Sequence, residues 1–160
     1  GWREKALDAT LKAVEIYEPL AKKNADGFEP NLADSLNNLG ITCRALGRWE
    51  EALDSALKAV AIYERLAKKN PDAFDPDLAI SLGTLGSICL QNNDAEQAKD
   101  VFARGIQVLN RLFQASPQAF AGLVKSLCRN YLESCKKVGS EPDMNLLAPI
   151  VQKLQELEEE

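Results

Sequence analysis

Between residues 49 and 67 the apolar side chains Trp49, Ala52, Leu53, Ala56, Leu57, Val60, Tyr63, Leu66 and Ala67 return at steps of three and four. Glu50, Glu51, Asp54, Lys58 and Glu64 fall between them, with Lys68 just beyond. A period of about 3.6 residues gathers such positions on one face, so the spacing predicts one amphipathic helix of about twenty residues. Asn70-Pro71 is its expected stop, because a residue before proline is pushed out of the α region, and Ser116-Pro117 repeats that signal. A shorter helix is expected to open at Asp75-Pro76, a cap acceptor followed by a proline whose missing donor costs nothing at the first helical position. It runs through Leu78, Leu82, Leu85 and Cys89, and Glu29-Pro30 is the earlier copy of its start. Gly47, Asn93 and Gly139 are residues that tolerate the left-handed conformation closing a helix, and Asp94 with Gln97 reads as a capping box for the next one.

No segment alternates with period two over strand length, so the fold class is all-α. Seven helices are expected, at roughly 3–24, 31–46, 48–70, 77–92, 94–115, 118–138 and 142–158. Pro149 falls inside the last and is expected to kink or split it near Ala148.

The pattern repeats. Residues 1–46 laid over 47–92 share 27 identities, among them Ala6/Ala52, Leu11/Leu57, Tyr17/Tyr63, Phe28/Phe74, Pro30/Pro76, Leu39/Leu85 and Gly40/Gly86. Cys43, Cys89 and Cys135 keep the same 46-residue interval. A weaker third copy turns Asn70-Pro71 into Ser116-Pro117, Phe74 into Phe120 and Leu85 into Tyr131. A fixed period of this length is the mark of a repeat architecture, whose last unit must face water instead of a neighbour. Gly40 and Gly86 lie in mid-helix, where glycine costs about 1 kcal/mol against alanine. Close packing against a partner helix is the expected reason, and Ala52 and Ala98 follow each glycine by twelve residues.

Composition narrows the function. At 160 residues and 17.6 kDa the chain is one domain's worth. Its longest uncharged stretch, residues 78–93, is broken by Ser81, Gly83, Thr84, Gly86, Ser87, Gln91 and Asn92, which excludes a membrane span there. A net charge of −5 and isolated lysine pairs give no basic stripe for nucleic acid. Histidine is absent, removing the commonest general base and metal ligand. No Gly-rich phosphate loop or nucleophile motif is present, so no catalysis, cofactor or metal is expected. The four cysteines sit in apolar runs and read as small buried hydrophobes, not as a disulfide framework. With no leader-like segment at Gly1, a reducing, cytoplasmic compartment is expected. Tyr17, Tyr63, Trp49, Phe74 and Phe102 read as inter-helix packing, with Phe28 and Phe74 tucking in the connectors. The run from Glu156 to Glu160 reads as a solvated tail.

Leu36-Asn37-Asn38-Leu39-Gly40 with Ala52 and Ala59, and Leu82-Gly83-Thr84-Leu85-Gly86 with Ala98, resemble the tetratricopeptide repeat. The unit is longer than that family's usual length of about 34 residues and is similar to the long repeats of kinesin light chains and bacterial regulatory proteins. The resemblance implies a right-handed superhelical solenoid of antiparallel helix pairs. One domain of repeats is expected, divided at 1–29, 30–75, 76–121 and 122–160, the first part being the second helix of a truncated unit of a longer array and the last a degenerate unit with a cap. Leu132 and Met144 replace the glycine and alanine of the third unit and are expected to spread that pair. Asp75-Pro76 becomes Ala121-Gly122 there, so the sixth helix is expected to start as early as Ser116.

The resemblance also implies a concave groove lined by the first helix of each pair, which binds a peptide or protein segment without catalysis. Its expected lining is Asp34, Asn37, Asn38, Ile41 and Arg44, then Ile80, Gly83, Thr84, Ser87 and Gln91, then Ser126, Arg129, Asn130, Glu133 and Lys137. Asn38 and Asn130 match the position where the family often carries an asparagine that hydrogen-bonds an extended peptide, and Thr84 interrupts that series. The family's two-carboxylate clamp is not expected, since Asn37, Ile41, Ile80 and Thr84 stand at its positions. The alternative is a structural or regulatory module that packs against its own parent chain or self-associates through the exposed first helix.

Overall fold

Helix boundaries in the computed structural model, which describes residues 1–159, fall on the repeated caps. The order is α1 Trp2–Lys23, α2 Ala25–Ala45, α3 Trp49–Lys69, α4 Pro71–Gln91, α5 Ala95–Ala115, α6 Pro117–Val138 and α7 Met144–Glu159, with no strand among the described residues. Glu160, the end of the acidic run, lies outside them.

Two starts differ from the sequence expectation. Both α2 and α4 begin six residues before the expected limits of 31 and 77, because Asn24 and Asn70 end one helix and cap the next. Each holds an extended backbone (φ −145° and −144°), and its side-chain oxygen accepts from an N–H in the following turn, Gly27 at 3.1 Å and Ala73 at 3.3 Å. Ser116 makes the third such elbow at φ −141°, without a side-chain cap but with Pro117 opening α6. Pro30 and Pro76 therefore lie inside helices, each as the sixth residue, where the missing N–H removes a single bond near the helix start. Pro149 occupies the same sixth position of α7 and does not split it.

The closing ends match the reading. Gly47, Asn93 and Gly139 are left-handed, at φ 73°, 62° and 72°. The N–H after each donates back to the carbonyl of Cys43, Cys89 and Cys135, at 2.9, 2.9 and 3.0 Å, the six-to-one bond that satisfies a helix's last carbonyls. The capping box is half made. Asp94 accepts from the Gln97 N–H at 3.0 Å, but the Gln97 side-chain oxygen takes the Cys89 thiol at 3.4 Å instead of reaching back.

Packing forms two compact units, residues 1–74 and 75 onward, the boundary falling in the first turn of α4. In the first unit α2 lies against α1 and α3. A Cβ on Gly40 would stand 3.2 Å from the Ala52 carbonyl and 3.6 Å from the Ala56 Cβ, so the glycine permits backbone to approach backbone. Ala33, Leu36, Ala52, Ala56, Ala59 and Tyr63 close this core. Phe28 and Phe74 rest against Tyr17 and Tyr63, ring centroids 6.5 Å apart in both copies.

The second unit uses its glycines differently. A Cβ on Gly86 would meet the buried ring of Phe102 at 2.7–2.9 Å, so that ring, not Ala98, fills the space the glycine leaves. Leu127 of α6 wedges between Gly83 of α4 and Gly105 of α5, its Cδ2 3.2 Å from a Cβ on either. Phe102, Ile106, Leu109, Phe113 and Ile150 are fully buried around it. Leu132 and Met144 are exposed at 43% and 61%, so neither stands between α6 and α7 to spread them. The last helix docks through Leu147 and Ile150, and the Gln114 amide donates to the Pro149 carbonyl at 3.1 Å.

Candidate peptide-docking faces

Helical spacing on α2 puts Asp34, Asn38 and Ile41 on one exposed stripe, while Asn37 turns away and is 9% exposed. The Asn37 side-chain oxygen is buried without a hydrogen-bond partner, whereas Arg44 is half-buried. Asp34 is held: the Tyr63 hydroxyl of α3 donates to its carboxylate and, at 3.3 Å, lies within reach of the Pro30 carbonyl. Asn38 keeps its side chain in solvent, and only its backbone carbonyl is engaged, by the Thr42 hydroxyl at 2.9 Å.

In the second unit Ile80 and Gln91 are exposed, and Thr84 is half-buried. Ser87 donates to the Gly83 carbonyl at 2.8 Å, so its hydroxyl is turned back onto its own helix. Gly83 is filled by Leu127. On α6 Arg129 is exposed and Asn130 and Ser126 are half-buried, while Glu133 and Lys137 pair across one turn at 3.7 Å. Both units thus expose amides, a cation and an aliphatic side chain, a set suited to backbone amides and carboxylates.

Sequence reasoning missed two features. The Tyr63–Asp34 contact crosses from α3 to α2, and Asp34 has isoleucine as its counterpart 46 residues on, so no repeat signal marked it. A shallow open depression beside Leu39 is lined by Glu50, Glu51, Asp54 and Ser55, acids assigned above to the solvent face. Glu51 is tied to Arg48 at 2.5 Å and Asp54 to Lys58 at 2.8 Å. Replacing Tyr63 by phenylalanine is expected to cost about 1 kcal/mol, the usual net worth of a hydrogen bond whose partners lose it. Urea unfolding measures this, and an unchanged midpoint would separate Asp34 from the core.

Burial holds three of the thiols in the protonated form. All four cysteines are free. Burial pushes Cys89 up to about 11, helped by the negative charge of Asp94, and burial alone takes Cys128 to about 11; Cys43 is raised as well, first by burial. A thiol held protonated at neutral pH is a poor nucleophile and metal ligand. Among the described residues no group of three or more Cys, Asp or Glu side chains is placed to hold a metal ion, and no helix is long and apolar enough to cross a membrane.

Antiparallel helix pairs on a 46-residue period, with a glycine against the partner helix in each unit, define a helical-repeat protein. A family profile for the tetratricopeptide repeat matches residues 3–65, a segment that spans α1, α2 and most of α3. Repeats of this family in general mediate protein–protein contacts and act as non-catalytic scaffolds. No curated protein matches the chain.

Proposed function

We propose that the chain binds a peptide or protein segment on the outward faces of its first-type helices, in the groove that the repeat family builds from them. The observation that carries this reading is the stripe Asp34, Asn38 and Ile41, which the protein's own packing leaves uncovered. Asn38 is its anchor, since an amide both donates to and accepts from an extended backbone. Arg44, Thr84, Ser87, Gln91, Arg129, Asn130 and Glu133 extend the same surface chemistry, and Arg129 supplies a cation for a carboxylate on the ligand.

A displayed peptide library screened against the protein, followed by titration of the selected peptides, tests the proposal. Asn38→Ala is expected to leave the urea midpoint unchanged, because its side chain is exposed. It should weaken the selected peptide five- to tenfold, as for one hydrogen bond of about 1 kcal/mol. Peptides that bind wild type, Asn38→Ala and Arg129→Ala alike would take the ligand off these faces.

A further inference from the structure

The carboxylates of α2 are Asp26, Glu29 and Asp34, and their partners differ in kind. Asp26 pairs with Lys69 at 3.3 Å and Glu29 with Arg65 at 2.7 Å, both cations of α3. Asp34 meets no cation among the described residues; its partner is the neutral hydroxyl of Tyr63, a residue 1% exposed. A neutral donor orients a carboxylate without cancelling its charge, and a buried ring fixes the donor in turn. Along the same stripe the other exposed positions are Asn31, Asn38, Ile41 and Ala45, none of them charged. Packing of the helix pair does not demand this arrangement. In the second unit Asp34 and Tyr63 become Ile80 and Leu109 together, and there Leu109 is fully buried beneath an exposed face that carries Ile80. The first unit thus holds out one oriented negative charge where its copy offers an aliphatic side chain.

We propose that Asp34, with Tyr63 as its positioning residue, sets the specificity of the α2 face, and that the segment bound there presents a lysine or arginine to it. This assignment rests on the groove of the proposed function and narrows its occupant to a basic segment. Asn38 stands one helical turn from Asp34 on the stripe. Side chains four apart on a helix begin about 6 Å from each other, a distance an extended chain covers in about two residues. The basic residue therefore lies about two positions from the one whose backbone bonds Asn38.

One random displayed peptide library, selected in parallel on the wild-type protein and on Asp34→Asn, tests the assignment. The amide keeps an oxygen for the Tyr63 hydroxyl and loses the charge, so the variant should retain the wild-type circular dichroism. Lysine or arginine is expected at one fixed position of the wild-type pool and at no fixed position of the Asp34→Asn pool. In a synthetic peptide from the wild-type pool, glutamine at that position should weaken binding about fivefold, the upper end for an exposed ion pair, and the loss should shrink as salt rises. Tyr63→Phe leaves the charge but frees the carboxylate, which must then be ordered on binding, so the preference for lysine over glutamine should fall to about twofold. Affinity for the glutamine peptide should stay level in that variant. Asp34→Lys should select aspartate or glutamate at the same position. Matching pools on wild type and Asp34→Asn, with binding still weakened by Asn38→Ala, would overturn the assignment and leave the groove standing. A lysine preference unmoved by Tyr63→Phe would overturn the positioning role. Pools indifferent to both Asn38→Ala and Arg129→Ala, or a library from which nothing is selected, would overturn the groove and this assignment together.

Discussion

Gly86→Leu lowers the stability of the second unit by about 3 kcal/mol, the upper part of the range for overpacking a filled core. A bare Cβ at this position already stands 2.7–2.9 Å from three atoms of the Phe102 ring, and that ring is fully buried, so it has nowhere to retreat. The same contact sets the sign for Gly86→Ala. Alanine gains about 1 kcal/mol of helix propensity over glycine, but overpacking costs about as much or more, so the variant is expected to be neutral to destabilised despite the better helix former. Phe102→Ala made in the Gly86→Leu background should recover part of the loss, since two residues in contact are not additive. Both tryptophans belong to the first unit, so circular dichroism in urea is the measurement. A Gly86→Leu midpoint equal to wild type would refute the account of why glycine stands there.

Leu127→Ala is expected to cost about 4 kcal/mol, toward the top of the large-to-small range, because that range widens with how poorly the surroundings collapse. The leucine is 2% exposed and wedged between Gly83 and Gly105. Glycines have no side chain to swing into the space it leaves, and the helices that carry them cannot close without disturbing Leu82, fully buried beside Gly105. A graded check follows from the geometry. Gly105→Ala places a methyl 3.2 Å from the leucine in wild type, a tight fit, but in Leu127→Ala that methyl occupies vacated space. The second substitution should therefore be less favourable alone than in combination, and additivity of the two would contradict the wedge.

Much of the architecture was legible because it was written twice. Helix number, the left-handed closures and the buried cysteines all recur at a fixed interval, and a repeated signal is hard to mistake for chance. The errors lie where two local rules compete. Asp75-Pro76 obeys the rule for a helix start, yet so does Asn70-Pro71, and the asparagine wins because its oxygen finds the Ala73 N–H while proline at the sixth residue forfeits only one bond. The partner of Gly86 was misread for another reason. Alanine and phenylalanine lie on the same face of α5, and only three-dimensional packing decides which ring or methyl fills a gap. On the candidate faces, exposure of Asn38 and Arg129 was legible from helical spacing. The inward turn of Asn37 and the capture of Asp34 by Tyr63 were not, since each depends on how far α2 is rotated about its own axis.

The elbows at Asn24, Asn70 and Ser116 leave a single non-helical residue between long helices, and this makes length itself a constraint. One residue inserted there cannot be absorbed as slack. At Asn24 it turns α2 by about 100° relative to α1, carrying the residues that α2 lays on α1 off that neighbour. Insertions at these joints are permitted only in steps that restore the phase, close to whole multiples of seven residues, whereas the same residue added among Ser140 to Asp143, outside any helix, shifts no register.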